Sequence, residues 1–283
     1  MAEILELQSA CHIMHKAIAN LQEKEKFGDK YHDLLNGNKV VLLAGDYILS
    51  KSYLRHGGLR NTEVSELIFS CLRDQIEGKF LGERGIDDKP IPSKPKVTQE
   101  VRRYDWENEC NLEKLGSNDY LGQGKEEWIL RTMLLSGSIL GKGCEAAMKL
   151  ARRGEIERDA YKFGGHFALL SQLYLNISDF FTNPKSNYSL VSAPVIMALW
   201  EYPSVYDQLM MSQRPVNLNE LNHAVSSTRC MDALSSLLNE ELSAVVKCSD
   251  RMPIHDAREA LQNIARALYG EAMKIIEKNI NKR

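Results

Sequence analysis

The chain lacks the features that mark three common classes of protein. Its longest apolar runs, "VVLLAG" at 40–45 and "APVIMALW" at 193–200, fall far short of the roughly 18 to 20 residues that a membrane-spanning helix needs. The six cysteines form no C-x-x-C pair, which argues against a zinc site and a disulfide scaffold and favours a reducing compartment. The 36 basic and 38 acidic residues nearly cancel, so the net charge of -2 favours neither a nucleic acid nor a membrane surface as a partner.

Targeting signals, strands and repeats are also missing. The N-terminal stretch "MAEILELQSA" carries Glu3 and Glu6 but no arginine, and it lacks the apolar core of a secretory signal, so we recognise no transit peptide there. No strand-like alternation of useful length occurs, and no repeat of fixed period suggests a solenoid. With 43% hydrophobic and 26% charged residues over 283 positions, the composition is that of a globular protein of one or two domains.

The first third of the chain shows the apolar periodicity of helices. Apolar residues from Ile4 to Leu21 recur at steps of three and four, which predicts a first helix over about 2–24. The next segment, "GNKVVLLAGDYILSKSY" at 37–53, is apolar nearly all round, and this pattern predicts a central helix that other helices enclose. A third helix follows, with Asn61 as its candidate N-cap and an end near residue 78.

Prolines and glycines interrupt this periodicity over 81–124, which predicts a long irregular connection with a short helix inside it. Further helices are predicted over 125–153, over 155–183 and in two shorter segments, 191–202 and 217–246. In the last helix Pro253 suits the first helical position. We therefore predict an all-α protein, a single domain over 1–283 built as one bundle of eight to ten helices.

Few residues suggest chemistry by themselves. His12 and His15 lie three apart beside Cys11 and could face one metal, but no further ligand stands at a recognised spacing, so a partly buried polar His15 at a cavity edge is the competing interpretation. "GIDDKP" at 85–90 indicates a solvated turn, and "GGH" at 164–166 indicates close packing. The arginines at 152, 153 and 158 are typical of a solvated face, with an acidic partner as the alternative.

The order of segments resembles the trans-isoprenyl diphosphate synthase family from about residue 4 to 268. The segments that carry the resemblance are "MHKAIAN", "GNKVVLLAGDYILS", "RTMLLSGSILGKGCEAAMKLA", "FGGHFALLSQLYLNISDF" and "SAPVIMAL". "NTEV", "CEAAMKLA", "SAPV" and "AREALQNI" are most similar to the non-catalytic subunit 2 of decaprenyl diphosphate synthases. The resemblance implies an isoprenoid synthase-type helical bundle that lacks the family's N-terminal segment.

The resemblance also implies two degenerate metal motifs. Active members place two Asp-Asp-x-x-Asp motifs so that Mg²⁺ bridges carboxylates and the allylic diphosphate. Five of those six acidic positions carry other residues in this sequence, because Lys16, Ala17 and Asn20 align with the first motif and Leu175, Asn176 and Asp179 align with the second. An ammonium about 4 Å from a dication would be repelled by roughly 8 kcal/mol at an effective dielectric constant of about 20. We therefore expect this chain to bind no metal and no other cofactor.

Other phosphate-binding positions of the family differ as well. Its Gly-Gly-Lys-Arg segment would lie upstream of Met1, and the paired arginines after the first motif are replaced by "LQEKEKFG". Arg131 stands where the family has a lysine, and Ser189 with Leu190 replaces a later Gly-Lys pair. Lysine and arginine are not interchangeable at such sites, so the resemblance implies a diphosphate pocket that has lost its contacts.

The resemblance implies an accessory role in an enzyme complex. The expected function is that of a subunit, inactive alone and without catalytic residues, of a heteromeric all-trans polyprenyl (decaprenyl- or solanesyl-type) diphosphate synthase that supplies the ubiquinone side chain in the mitochondrial matrix. The catalytic partner would bind Mg²⁺, in a heterodimer or heterotetramer. Two alternatives stay open: an active class I prenyltransferase or terpene synthase with atypical ligands, and a helical binding protein outside the pathway.

Members of the family dimerise through helices near the centre of the fold. For this reason, two segments are the expected partner interface, the "GDYILSKSY" helix and the stripe of small residues in the long helix. The residues that we assign to this interface are Gly45, Tyr47, Ser136, Gly137, Gly141 and Gly143.

Overall fold

The computed structural model describes residues 1–21, 27–85, 88–98, 100–108, 117–182, 188–211 and 218–281. Within these residues the backbone forms α-helices and no strand, apart from one isolated bridge between Arg84 and Pro90. The prediction of an all-α fold is therefore confirmed. The helices are α1 (Ala2–Lys16), α2 (Tyr31–Gly57), α3 (Thr62–Phe80), α4 (Lys125–Thr132), α5 (Ser138–Leu150), α6 (Glu157–Thr182), α7 (Ala193–Glu201), α8 (Pro203–Met211), α9 (Leu218–Val225), α10 (Thr228–Ser249) and α11 (His255–Ile280).

The main hydrophobic core surrounds α6, which packs against α5, α10 and α11. Leu169, Leu173 and Ile177 of α6 are completely buried in this core, together with Trp128 of α4 and Leu238 of α10. A helix surrounded in this way needs apolar residues on most of its circumference, and "FALLSQLYLNI" supplies them. No helix within the described residues is long and apolar enough to span a membrane.

A smaller core joins α1 to the rest of the molecule. Ile4 of α1 meets Val64 and Ile68 of α3 and Ala146 of α5 in a separate buried cluster. α2 lies outside this cluster and packs along α1, and it buries only Gly45, Ser52 and His56. The prediction of a central, enclosed α2 is therefore wrong. α2 is apolar nearly all round because one face contacts α1, while its opposite face is apolar too but is exposed.

The boundary between α1 and α2 also differs from the prediction. α1 ends at Lys16 and not near residue 24, because the chain leaves the helix to pair with α2. The Asn38 side chain accepts a hydrogen bond from Ala19 N (2.9 Å) and donates one to Ala19 O (2.8 Å). α2 begins at Tyr31, earlier than predicted, after a 3₁₀ turn at Gly28–Lys30.

α3 begins where the sequence predicts. The side chain of Asn61 accepts a hydrogen bond from Val64 N at 3.1 Å, which satisfies one of the amide groups that the first turn leaves without a helical partner. A buried ion pair then fixes α3 to α5, with 2.5 Å between Asp74 Oδ2 and Lys142 Nζ. Ser138 also donates a hydrogen bond to Asp74.

The predicted helix over 125–153 is not one regular helix. A π-helical turn at Met133–Gly137 separates α4 from α5, so one extra residue enters the turn and the buried face rotates. The predicted helix over 217–246 is likewise divided into α9 and α10, and Ser227 caps α10 by accepting a hydrogen bond from Cys230 N (3.2 Å). Periodicity alone cannot detect such short interruptions, because the apolar pattern continues on both sides.

Two further helix boundaries correct the sequence analysis. α8 was not predicted, and it follows α7 after a single residue, Tyr202. The last helix begins at His255 with Ile254 as its N-cap, so Pro253 precedes the helix and does not occupy its first position. The described residues therefore contain eleven α-helices, more than the eight to ten predicted.

The irregular connection over 81–124 is held by buried acids of α4. Glu127 accepts hydrogen bonds from Gly122 N (2.7 Å) and from the Ser93 hydroxyl (3.1 Å). Glu126 accepts one from Tyr104 N (2.7 Å). Buried carboxylates need such hydrogen-bond partners. Here they accept hydrogen bonds from backbone amides that have no partner in a helix or strand. Within its described residues the connection contains one short helix, a 3₁₀ turn at Ser117–Tyr120.

Candidate functional site

The first degenerate motif lies where α1 ends. Lys16 is the last residue of α1, Ala17 is its C-cap, and both are exposed, as is Asn20 in the segment that follows. None of these three side chains carries a carboxylate. The first motif therefore presents an ammonium, a methyl and an amide at the surface, and not a row of oxygen ligands on one helical face.

The cysteine and histidines of α1 contact α2. His15 Nε2 lies 3.4 Å from Asp46 Oδ1, and His15 Nδ1 lies 3.7 Å from Cys11 Sγ. Gly45 makes this contact possible, because a Cβ at that position would collide with the His15 ring. Within the described part of the chain, no group of three or more His, Cys, Asp or Glu side chains could hold a metal ion. His15 therefore joins two helices as a half-buried polar residue, and Gly45 packs within the chain.

The electrostatics around α1 also disfavour a bound cation. Burial, together with the nearby Lys79 and Lys16 ammonium groups, lowers the pKa of His12 to about 4. Burial raises the pKa of the Cys11 thiol, so the thiol is the stable form at neutral pH. The two ammonium groups that help to lower the pKa of His12 would also repel a divalent cation beside it.

The second degenerate motif lies near the C-terminal end of α6. Leu175 and Asp179 are exposed, whereas Asn176 is half-buried. Asn176 Oδ1 accepts hydrogen bonds from Trp128 Nε1 and from Ala193 N, both at 3.0 Å. The amide therefore serves a packing role between α4, α6 and the start of α7, with its oxygen occupied by two donors.

The residues present at the two aligned motifs do not fit magnesium. Mg²⁺ prefers oxygen ligands, usually carboxylates together with phosphates and water. Among the six aligned positions only Asp179 offers a carboxylate, and the amide oxygen of Asn176 already accepts two hydrogen bonds. Lys16 brings a positive charge to the other motif. We therefore derive no catalytic step through a metal held by this chain.

Arg131, at the position of a family lysine, is also engaged within the chain. Its guanidinium lies 2.8 Å from Glu127 Oε1 and donates a hydrogen bond to Leu81 O (3.0 Å). Both charged side chains are buried. Removing this arginine to bind a phosphate would leave Glu127 as an unpaired buried charge, which is costly. Arg131 therefore fixes the irregular connection to α4.

His166 lies in a buried polar cluster that the sequence did not predict. His166 Nδ1 lies 2.7 Å from Glu241 Oε2 of α10, and His166 Nε2 lies 3.8 Å from Glu107 Oε1 of the connection. The ring also contacts Trp106, with 4.8 Å between ring centroids. The "GGH" motif hinted at packing but not at these partners, which lie 59 and 75 residues away in the sequence. The cluster joins α6, α10 and the connection.

The small residues of α5 and of the π turn do not face a free surface. A Cβ at Gly141 would lie 3.1 Å from the Tyr161 ring, Gly143 faces Leu5 of α1, and Gly137 faces the Met133 side chain. All three glycines are buried, and the neighbouring Ser136 is half-buried and bonds to Thr132 O. The close approach that the sequence predicts is made by this chain's own helices, which corrects the assignment of these three glycines to a partner interface.

An exposed apolar surface instead covers α2 and α3, and we call it the α2–α3 apolar face. On α2 its residues are 62% to 78% exposed and recur at steps of three, four and seven: Val40, Leu43, Tyr47 and Leu54. On α3 its residues are 47% to 77% exposed: Phe69, Ile76 and Phe80. The two helices contact each other where the rings of Tyr53, beside the α2 stripe, and Phe69 lie 5.5 Å apart. Apolar residues at such spacing form the contact seams of paired helices.

Comparison with known proteins relates the whole chain to one group of enzymes. No protein-family model matches. The chain is 26% identical to the human all-trans-polyprenyl-diphosphate synthase PDSS2 over 281 residues, which cover 95% of this chain and 62% of that protein. It is 24% identical to the mitochondrial hexaprenyl pyrophosphate synthase of Saccharomyces cerevisiae, again over 95% of this chain and 62% of that protein. The chain thus spans less than two thirds of the length of these relatives.

Another relative and a solved structure agree with this relationship. Decaprenyl-diphosphate synthase subunit 1 of Schizosaccharomyces pombe is 22% identical over 94% of this chain and 66% of that protein. The crystal structure of a decaprenyl diphosphate synthase from Rhodobacter capsulatus superposes with a TM-score of 0.66 at 12% identity, covering 95% of this chain and 78% of that chain, and so shows the same fold. Over nearly its whole length the chain is therefore similar in sequence to all-trans polyprenyl diphosphate synthases, and it has the helical fold of the Rhodobacter capsulatus enzyme.

Proposed function

We propose that this chain is the non-catalytic accessory subunit of a heteromeric all-trans polyprenyl diphosphate synthase. Its relatives are named as polyprenyl, hexaprenyl and decaprenyl synthases, and one of them is named as a subunit, which supports both the reaction and a multi-subunit enzyme. Three of the relatives are named as mitochondrial hexaprenyl pyrophosphate synthases, which supports a mitochondrial enzyme. In this proposal its product supplies the ubiquinone side chain.

The α2–α3 apolar face is the observation that carries the proposal. Burying apolar surface is worth about 25 cal/mol per Å². The stripe of Val40, Leu43 and Tyr47, on the side of α2 that faces away from α1, is therefore a strong candidate contact with another protein. Tyr47 of the predicted interface lies on this face. A catalytic homologue that presents a similar helix pair would bury both faces together.

The side chains at the two aligned motifs support a complex in which the partner, and not this chain, carries the metal site. One carboxylate among six positions cannot replace the oxygen ligands that magnesium needs. In this proposal the partner binds Mg²⁺ and condenses isopentenyl diphosphate onto the allylic chain. This chain contributes by association, through the stability of the partner and the shape of the complex.

Co-expression with the catalytic homologue from the same source tests the proposal. We expect the two chains to purify together and to make polyprenyl diphosphate only as a complex. Leu43→Asp places a charge in the middle of the α2–α3 apolar face and should lower the yield of complex roughly ten-fold or more, as the loss of an interface anchor does. Ile264→Asp is the matched control, because Ile264 of α11 is an exposed apolar residue elsewhere on the chain, and this variant should assemble normally.

Three outcomes would contradict the proposal. Magnesium-dependent product formation by this chain alone would make it an active prenyltransferase with other ligands. Failure of the two wild-type chains to associate would favour a helical binding protein outside the pathway. Equal yields of complex from the Leu43→Asp and Ile264→Asp variants would show that the partner binds another surface.

A further inference from the structure

A cavity of about 440 Å³ opens between α5, α6 and the segment that joins α10 to α11. Met148 of α5, Phe163 of α6 and Leu261 of α11 form its walls, and Met252 and Ile254 of the joining segment complete it. Its volume lies within the range of roughly 300 to 1,000 Å³ that is usual for small-molecule sites. No function described above uses this cavity.

The cavity is distinct from the degenerate motifs. Ala160 lines it near the start of α6, whereas Asn176 lies sixteen residues further along the same helix. A rise of 1.5 Å per residue separates the two positions by about 24 Å. The cavity also lies on a different side of α5 from the small core, since Cys144 and Ala147 line the cavity while Gly143 and Ala146 face α1 and α3.

The interior of the cavity is suited to a hydrocarbon. Of its 16 lining residues, 13 are apolar, and the three charged ones are Arg153, Asp159 and Arg251. The two thiols in the wall behave as apolar groups, because burial raises the pKa of Cys144 and the pKa of Cys248 to about 11. Water inside such a cavity finds few hydrogen-bond partners, so an apolar chain that displaces it gains free energy.

The charged residues supply a mouth with an excess of positive charge. Arg251 Nη1 lies 2.8 Å from Asp159 Oδ2, and Arg153 Nε lies 2.5 Å from Glu155 Oε1. Each carboxylate is thus paired with one arginine, and because Glu155 lies outside the cavity lining, the lining itself carries two arginines and one aspartate. A guanidinium carries five N–H donors, and these two ion pairs each use one nitrogen, so donors remain for an anionic group.

We propose that this cavity binds a single-chain anionic amphiphile, with its hydrocarbon chain between α5, α6 and α11 and its carboxylate or phosphate group at Arg153 and Arg251. The inference does not depend on the proposed accessory role, since the cavity lies apart from both the degenerate motifs and the α2–α3 apolar face. Fatty acids and prenyl phosphates share this chemistry, and they differ in their chains and in their anionic groups.

Calorimetric titration of the whole chain with dodecanoate, dodecan-1-ol and farnesyl phosphate tests the proposal. We expect dodecanoate to bind at one site and more tightly than dodecan-1-ol. Ala257→Trp fills the cavity from its α11 wall and should weaken binding about ten-fold or more. Ala260→Trp is the matched control, because Ala260 is exposed on the same helix and does not line the cavity, and this variant should bind like the wild type.

Substitutions at the mouth test the assignment of the anionic group. Arg251→Gln should weaken dodecanoate binding roughly two- to five-fold, as expected for a solvent-exposed ion pair, and should leave dodecan-1-ol unaffected. Arg152→Gln removes the same charge from a residue outside the cavity lining and should have a smaller effect. Comparison of dodecanoate with farnesyl phosphate identifies the natural class, because the tighter ligand reports which chain and head group the site prefers.

The proposal would be overturned if none of the three ligands bound at millimolar concentration, or if Ala257→Trp bound dodecanoate like the Ala260→Trp control. Equal affinities of the wild type for dodecanoate and dodecan-1-ol would overturn the assignment of an anionic group to the mouth. Both tryptophan variants change exposed positions, so thermal unfolding of each should match the wild type and confirm that the chain is folded.

Discussion

At the residue scale, His12 shows how the surroundings of α1 set a charge state. The imidazole is half-buried, and burial is the largest cause that lowers its pKa to about 4; Lys79 and Lys16 add to the effect. In the unfolded chain the ordinary value of 6.5 applies. Between these two values the unfolded state binds more protons than the folded state, so the free energy of unfolding rises with pH in this window and falls as the solution is acidified.

We therefore predict that His12→Gln flattens the loss of stability between about pH 6.5 and pH 4. The stability lost by the wild type through this residue should be about 1 kcal/mol, because partial exposure screens much of the shift. Urea unfolding at several pH values measures the effect. His255→Gln is the control, because His255 is exposed, and this variant should keep the wild-type slope. If the free energy of unfolding of His12→Gln depended on pH as that of the wild type does, His12 would not be the source of this pH dependence.

Single residues also show the limit of sequence reasoning. The aligned position of Asn176 indicated a lost metal ligand, and its amide identity supports that interpretation. In the structure, however, the Asn176 side chain accepts hydrogen bonds from Trp128 and Ala193, which lie 48 and 17 positions away in the sequence. The partners of His166 lie further away still, at 59 and 75 positions. Periodicity and motif spacing describe local chemistry, so they cannot predict which distant groups fold against a given side chain.

At the scale of the elements, glycines set how closely the helices cross. α5 and α6 approach closely at Gly164, where a Cβ would meet the main-chain carbonyl group of Leu140. A side chain could rotate away from such a contact, but a helix backbone cannot, since it is fixed by its own hydrogen bonds. The small residues that the sequence placed in α5 therefore determine packing within the molecule.

Gly164→Ala should lower the free energy of unfolding by about 2 kcal/mol or more, because α5 and α6 must separate to admit the methyl group. Gly270→Ala is the matched control. Gly270 also lies within a helix, α11, but a Cβ there has no atom within 4 Å, so the change should stabilise the protein by about 0.5 to 1 kcal/mol. Denaturant unfolding measures both variants, and similar effects of the two substitutions would argue against the close crossing.

The elements that could be predicted are those with local signals. Asn61 began α3 as expected because its side chain caps a backbone amide only three residues away. The enclosed position predicted for α2 was wrong, because an apolar pattern reports that surface must be buried and not which molecule buries it. The π turn at Met133–Gly137 and the break before Ser227 were missed because the apolar pattern is continuous across both.

At the scale of the whole molecule, the chain consists of a well-packed bundle around α6 and an outer pair of helices, α1 and α2. The bundle buries its apolar residues by itself. The outer pair is attached through the small cluster at Ile4, Val64 and Ala146, and it leaves the α2–α3 apolar face exposed. The overall fold followed from the sequence and from its resemblance to a known family, whereas this exposed face needed the three-dimensional arrangement.

An exposed apolar face of this kind links the stability of the chain to its partner. A partner that binds only the folded state stabilises it by about 2.7 kcal/mol when its free concentration is 100 times the dissociation constant. We therefore predict that the thermal midpoint of this chain rises with the concentration of added catalytic homologue. Leu43→Asp should change the free energy of unfolding of the free chain by no more than about 0.5 kcal/mol, because Leu43 is exposed. The thermal midpoint of the free chain should therefore stay nearly unchanged.

The same variant should abolish the rise, because it places a charge in the contact surface. Differential scanning calorimetry of both chains over a range of partner concentrations measures this dependence, and Ile264→Asp should behave like the wild type throughout. A midpoint that stays constant as the partner is added would mean that the α2–α3 apolar face does not bind the partner. A rise that persists in Leu43→Asp would move the contact to another surface of the bundle.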